Sequence, residues 1–189
     1  IMGNAQNSDY KTRASSLEAV GVGPAQLLRL LDSIRRCGQC DSLEESVELI
    51  VGETIATLSC DRATVFLVDN IREQLVITRS VGSDSPDIHI PWDAGLAGHV
   101  YQTGETINIP DAYTDERFNK ETDQKTGYKT TSLMCCPVRD AQENIVAVMQ
   151  CINKQESGAD GPVVPFNETD MMLMGYLQSQ VGVILRNAV

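Results

Sequence analysis

The segment Asp93-Ala-Gly-Leu-Ala-Gly-His99 places two glycines at the start of a predicted helix. The first N–H groups of a helix lack partners inside it, and the helix dipole favours an anion beside them. We therefore predict an anion site at the backbone of Leu96 and Ala97. No Lys or Arg occurs between Arg79 and Arg117, which favours a singly charged phosphodiester over a triphosphate with its metal. The alternative is that the glycines only allow close packing of helix on sheet.

A polar segment from Phe118 to Thr131 combines hydroxyls, carboxylates and a second aromatic ring, Tyr128. Such groups suit a ribose, a base edge or a phosphate. The segment could therefore cover a ligand, and the alternative is a solvated helix and turn. Further along, Asn167 and Asp170 have the spacing of a helix-capping pair. That capping accounts for Asp170 without a ligand and leaves Lys154 either to pair with Asp170 or to be solvated.

Catalytic and metal chemistry find little support in the residue types. The two histidines, His89 and His99, have no companion residues at the spacing of a metal site or a catalytic triad. Cys37 and Cys40 form a CxxC pair without the second pair that zinc requires. We predict no metal ligand and no catalytic residue.

Cysteine redox chemistry is the alternative to this prediction. Cys135 and Cys136, together with Cys60, could form a peroxidatic and resolving set. Neighbouring residues of a strand point to opposite faces, so at most one of the adjacent pair could face a pocket.

Composition excludes several other classes of partner. The chain has 189 residues and a formal net charge of −11, which argues against nucleic acid and anionic membranes. No apolar run approaches the roughly 18–20 residues of a membrane span. Without a secretory signal in the sequence, a reducing cytoplasmic location is expected for the six cysteines.

The elements that must position these residues follow from hydrophobic periodicity. Residues 1–22 are expected to be a flexible leader, residues 23–59 two amphipathic helices, and residues 60–189 the core with a C-terminal helix. The core shows strands in hairpins rather than βαβ repeats, which indicates an antiparallel sheet of the α+β class. The two leading helices have more apolar surface than one sheet face needs, so we expect them to pack on another chain.

These segments together resemble a GAF domain, of the type found in cyclic-nucleotide phosphodiesterases and adenylyl cyclases. The resemblance covers Ala63–Val183 and is carried by TVFLVD, IPWDAGLAGHVYQTGETINIPDAYTDERFN, TDQKTGYKT, SLMCCPV and VMQCINK. The family's bipartite motif is present as Asn153-Lys154 followed by Phe166 and Asp170, with Met171 where the family has Glu. The resemblance implies a six-stranded antiparallel sheet with helices on one face and a ligand pocket on the other.

The resemblance also implies a role for individual residues. It places Asn153, Lys154 and Asp170 in a supporting ion pair that does not touch the ligand. A lid of residues 111–130 would cover the ligand. The residues implied to bind the ligand, on the strands, the helix N-terminus and this lid, are Thr64, Arg79, Ser80, Val81, Leu96, Ala97, Phe118, Asp123, Thr126, Tyr128, Thr130 and Gln150.

The implied function is a regulatory module of a phosphodiesterase that binds cAMP or cGMP and has no activity or cofactor of its own. We expect cAMP to be preferred, because a donor from Arg79 suits adenine N1 or N7, while Gln150 can serve either base. Ligand binding would be passed on through flanking helices that also form a homodimer. The alternatives are a cysteine-dependent reductase of free methionine sulfoxide and a GAF dimerisation module without a ligand.

Overall fold

The computed structural model describes residues 32, 35, 36, 40, 42–80, 88–156 and 161–187, with the backbone alone at 78–80, 186 and 187. In chain order the elements are α1 (Leu43–Leu58), β1 (Cys60–Asp69), β2 (Gln74–Ser80), β3 (Ile88–Pro91), α2 (Gly95–Thr103), β4 (Ile107–Ile109), a 3-10 helix (Ala112–Thr114), α3 (Lys120–Thr126), β5 (Leu133–Arg139), β6 (Ile145–Gln155), β7 (Val163–Val164) and α4 (Glu168–Asn187). The predicted leader and Cys37 of the CxxC motif lie outside the described residues, whereas Cys40 is described as a free, partly buried thiol.

The strands form one antiparallel sheet in the order β3-β2-β1-β6-β5-β4. This confirms the predicted α+β class and the six-stranded path. A seventh strand, β7, was not predicted, because its two valines lie inside a loop rich in Gly and Pro. It pairs with the end of β6, where Lys154 contacts Cys60 on one side and Val164 on the other.

Alternation along the central strands separates two apolar clusters, one on each face of the sheet. On β6, Met149 and Cys151 belong to the cluster under α1 and α4, whereas Val148 and Ile152 belong to the cluster under α2. Adjacent strand residues point to opposite faces, so β6 serves both layers at once.

The layer of α1 and α4 is fixed by capping and burial. Ser42 Oγ accepts a hydrogen bond from Glu45 N at 3.1 Å, so Ser42 is the N-cap of α1. At α4, Asn167 N donates to Asp170 Oδ2 at 2.8 Å, and Asp170 N donates to Asn167 Oδ1 at 3.0 Å. This reciprocal pair is the predicted capping box.

The implied placement of all helices on one face of the sheet was wrong in detail. Helices lie on both faces of the sheet, because α2 packs its buried Leu96, Ala97 and Val100 on the face opposite α1 and α4. Between β4 and α3, a 3-10 turn is followed by irregular chain until α3 begins at Lys120. Asn119 caps α3 by accepting from Glu121 N, and Asp115 and Arg117 hold the preceding turn with their own side chains.

Candidate functional site

A cavity of about 380 Å³ lies between the sheet and the two helices α2 and α3. It falls within the range of about 300–1,000 Å³ typical of small-molecule sites. Every ligand-binding residue predicted from the sequence whose side chain is described lines this cavity, namely Thr64, Leu96, Ala97, Phe118, Asp123, Thr126, Tyr128, Thr130 and Gln150. Of Arg79 and Ser80 only the backbone is described, and Val81 lies outside the described residues.

The cavity is also lined by residues that were not among the predicted ligand-binding residues. They are mostly apolar or carry small polar groups: Arg62, Phe66, Ile77, Ile88, Ile90, Ala94, Gly95, Asn119, Thr122, Leu133 and Ile152. Two of them could have been found from strand alternation alone, since Arg62 and Phe66 lie two residues to either side of Thr64 on β1.

The floor of the cavity is formed by neighbouring strands with a polar centre. Thr64 on β1 is paired with Gln150 on β6, so their two polar side chains lie at the same level. Buried Phe66 and Leu133 and partly buried Ile152 surround them with apolar surface. A flat, partly apolar ligand with a few hydrogen-bonding groups suits this floor.

The N-terminus of α2 opens on the cavity. Ala94 is its N-cap and provides no side-chain hydrogen bond, while Gly95, Leu96 and Ala97 line the cavity. Gly95 has a φ of 64°, a conformation that favours glycine. The first N–H groups of α2 therefore have no side-chain acceptor and can donate hydrogen bonds to an anion.

Gly98 allows close packing of the backbone and does not line the cavity. A Cβ at this position would lie 2.7 Å from the carbonyl carbon of Asp93 and 3.0 Å from Trp92 O. The absence of a side chain therefore allows the helix to pack on its own preceding turn, not on a ligand. Of the two glycines, Gly95 alone lines the cavity.

The lid over the cavity is held by the buried carboxylate of Asp123. This residue is 5% exposed, and its oxygens accept hydrogen bonds from Thr130 N at 2.6 Å, Thr130 Oγ1 at 3.0 Å and Tyr113 OH at 3.2 Å. Three donors to one carboxylate leave little capacity for a ligand. Asp123 and Thr130 thus close the lid on itself, while Thr126 at the end of α3 is exposed.

Tyr128 connects the exit of the lid to the sheet. Its hydroxyl donates to Asp61 Oδ2 and accepts from Asn153 Nδ2 at 2.9 Å. Burial, and then the hydrogen bond to Asp61, raise the pKa of Tyr128 well above its ordinary value. The guanidinium carbon of Arg62 lies 3.9 Å from the centroid of the Tyr128 ring. A cation–π contact therefore joins β1 to the lid.

The Asn153 and Lys154 pair supports the site from outside the cavity. Lys154 Nζ lies 2.5 Å from Asp170 Oδ1, which links β6 to α4. Asn153 has a φ of 56° and is not part of that ion pair. Its side chain accepts from Thr131 N at 2.7 Å and donates to Lys129 O at 2.8 Å, so it fixes the chain that leaves the lid.

The adjacent cysteines Cys135 and Cys136 lie in apolar surroundings on the two faces of the sheet. Both side chains are fully buried. Burial raises the pKa of Cys135 well above its ordinary value and that of Cys136 to about 12. Because the thiolate is the nucleophile, these surroundings disfavour the reactive form of both thiols.

The described residues contain neither a metal-binding cluster nor a helix able to span a membrane. No group of three or more His, Cys, Asp or Glu side chains in this part of the chain could hold a metal ion. None of the helices described here has the length and apolar character needed to cross a membrane.

Similarity to known proteins was found in both sequence and structure. One stretch is 36% identical over 147 residues to the dual 3',5'-cyclic-AMP and -GMP phosphodiesterase 11 of Drosophila melanogaster, covering 69% of this chain and 10% of that protein. Another match, 39% identical over 106 residues, is to a cGMP-specific 3',5'-cyclic phosphodiesterase of Drosophila erecta and covers 56% of this chain and 9% of that protein. The chain spans about a tenth of the length of these curated relatives.

In three dimensions, the GAF domain of an Acinetobacter phosphoenolpyruvate-protein phosphotransferase matches with a TM-score of 0.72 at 20% identity. That match covers 88% of this chain and 96% of the other, and it shows the fold alone. The GAF domain profile matches residues 42–185, from the N-cap of α1 into the last turns of α4. The chain belongs to the GAF domain family.

Proposed function

We propose that this chain is a regulatory domain that binds a cyclic nucleotide in the cavity between the sheet and α2. The single observation that carries the proposal is the convergence of the uncapped N-terminus of α2 and the Thr64–Gln150 floor on one cavity. The N-terminus of α2 would hold a singly charged phosphodiester, and the Thr64–Gln150 floor would hold a base of mixed polarity. The similarity to phosphodiesterases that act on cyclic nucleotides supports the same ligand class.

The proposal extends to the protein around this domain. We infer that the chain is part of a cyclic-nucleotide phosphodiesterase and is itself without catalytic activity, in keeping with the burial of Cys135 and Cys136. Its buried free thiols suit the cytoplasm. Binding would order the lid and be passed through the sheet to α1 and α4, with a homodimer formed by the helices at both ends of the chain.

The choice of base is the finer part of the proposal. The preference for cAMP stays a prediction from the sequence, because it depends on the side chain of Arg79. Gln150 contributes an amide that donates and accepts, so it suits either base.

Isothermal titration of the purified chain with cAMP and with cGMP tests the proposal. We expect binding to at least one of them with a Kd well below about 1 mM, the level at which the binding free energy falls to about −4 kcal/mol. Thr64→Phe fills the floor and should abolish the heat of binding. Ile71→Thr, at a hairpin tip with 94% exposure, is the control and should bind as the wild type does. Absence of binding by a folded wild-type chain would refute the proposal.

Amide hydrogen exchange on the same samples tests whether ligand binding affects α1 and α4. Amides of α1 and α4 should exchange more slowly with ligand present, and unchanged exchange outside the lid would contradict the regulatory part. Sedimentation with and without ligand tests the homodimer.

A further inference from the structure

Arg62 is a cation at the cavity whose hydrogen-bonding groups are unused. It is half-buried and is the one Lys or Arg among the described lining residues. Within the described chain its guanidinium makes no hydrogen bond and no ion pair; its one contact is with the face of the Tyr128 ring. A guanidinium has five N–H donors in a planar fork, so a partly buried Arg normally finds an acceptor. The cavity is where that acceptor can be supplied.

The position of Arg62 along β1 shows which end of a ligand it meets. Pro91 on β3 is paired with Gln74 on β2, and Gln74 with Asp69 at the end of β1, so α2, which begins four residues after Pro91, starts toward the Asp69 end of β1. Of the lining residues on β1, Phe66 is nearest that end, and at about 3.3 Å per residue Arg62 lies about 13 Å beyond it. A phosphodiester bound to α2 therefore leaves Arg62 to face the opposite end of the molecule.

The Tyr128 ring positions the guanidinium group of Arg62. The ring is held by hydrogen bonds of its hydroxyl to Asp61 and Asn153, and Arg62 lies over its face. The Tyr128 ring holds the guanidinium group from one side, and Arg62 forms no ion pair with the neighbouring Asp61 among the described residues. The N–H groups at the rim of the fork are then left for a ligand.

We propose that Arg62 is a ligand-contact residue that donates to the acceptors on the base of a bound cyclic nucleotide, and that Tyr128 is its positioning residue. This rests on the proposed function. An arginine fork matches two adjacent acceptors, as on guanine O6 and N7, whereas adenine offers N7 beside an amino donor. Arg62 thus contributes more to binding of a 6-oxopurine than of adenine and opposes the preference for cAMP predicted from Arg79.

Titration with cGMP, with the cyclic phosphate of inosine and with cAMP tests the assignment. The inosine nucleotide keeps O6 and N7 but lacks the 2-amino group, so it isolates the fork. For Arg62→Gln we expect Kd to rise by about 5- to 150-fold for both 6-oxopurines and by clearly less for cAMP. Arg62→Lys keeps the charge without the fork and should lose the same discrimination. Arg72→Gln removes an exposed Arg that pairs with Asp69 and is the charge-matched control.

Variants of Tyr128 test the positioning role. Tyr128→Phe keeps the ring under Arg62 and should retain the ratio of cGMP to cAMP affinity, while Tyr128→Leu should lose it. Equal losses for all three nucleotides in Arg62→Gln, or unchanged affinities, would overturn the assignment while leaving the proposed function standing. A folded wild-type chain that binds none of the three would overturn both.

Discussion

Lys154 Nζ lies 2.5 Å from Asp170 Oδ1, and this ion pair joins the end of the central strand β6 to the first turn of α4. The side chains are 16% and 5% exposed, so the pair is almost fully shielded from water. Lys154 Nζ also donates to Leu58 O at 3.4 Å, at the end of α1. One ammonium group therefore ties three elements together.

Removing one partner of this pair should destabilise the domain strongly. In Lys154→Met the carboxylate of Asp170 stays buried without its cation, and we expect a loss of about 3 kcal/mol or more. Urea denaturation measures the change. Lys125→Met is the matched control, because the Lys125–Glu121 pair is exposed and should contribute less than about 1 kcal/mol. Similar losses in the two variants would contradict the structural role of the pair.

Asp123→Leu should loosen the lid without unfolding the sheet. Leucine has a similar size but no acceptor, so Thr130 N, Thr130 Oγ1 and Tyr113 OH all lose the oxygen to which they donate. A buried donor left unsatisfied costs about 1–3 kcal/mol. Amide hydrogen exchange of the ligand-free chain should be faster at Thr130. Glu121→Gln on the exposed side of the same helix is the control, and equally fast exchange there would contradict the prediction.

Alanine substitution distinguishes the glycines by their surroundings. Gly98→Ala forces Cβ to within 2.7 Å of the backbone of Asp93, and we expect a cost of about 1–3 kcal/mol. Gly52→Ala in α1 meets nothing within 4 Å and should stabilise by about 0.5–1 kcal/mol. Thermal unfolding compares the two. A stable Gly98→Ala variant would show that the turn before α2 can move.

The Asp115 carboxylate should titrate well below its ordinary range. Hydrogen bonds from the Arg117 side chain, at 2.6 and 2.9 Å, hold the pKa of Asp115 at about 2. Because this pKa is lower in the folded state, the stabilisation is present above pH 3.8 and is lost as pH falls through about 2. Carboxyl NMR titration should show the pKa returning toward 3.8 in Arg117→Gln. In the control Arg72→Gln, Asp115 should be unaffected.

Much of this architecture could be predicted from the sequence, because periodicity and capping are local. The N-cap at Ser42, the capping box at Asn167 and the alternation on β6 each depend on a few neighbouring residues. The strand β7 could not be predicted, since two valines gain their hydrogen bonds only from β6. Nor could the role of Asp123 be seen, because Thr130 and Tyr113 reach it through the folded lid. Arg62 was missed for a simpler reason: it precedes the segment that carries the resemblance.

The alternation of β6 places the floor of the cavity and the core under α1 and α4 on neighbouring residues of one strand. Gln150 lines the cavity, while its covalent neighbours Met149 and Cys151 belong to the core under α1 and α4. Packed layers lie about 10 Å apart, so a molecule on the floor and the helix beyond it are separated by one peptide layer. A shift of the Gln150 backbone would therefore also move Met149 and Cys151 in the core under α1 and α4.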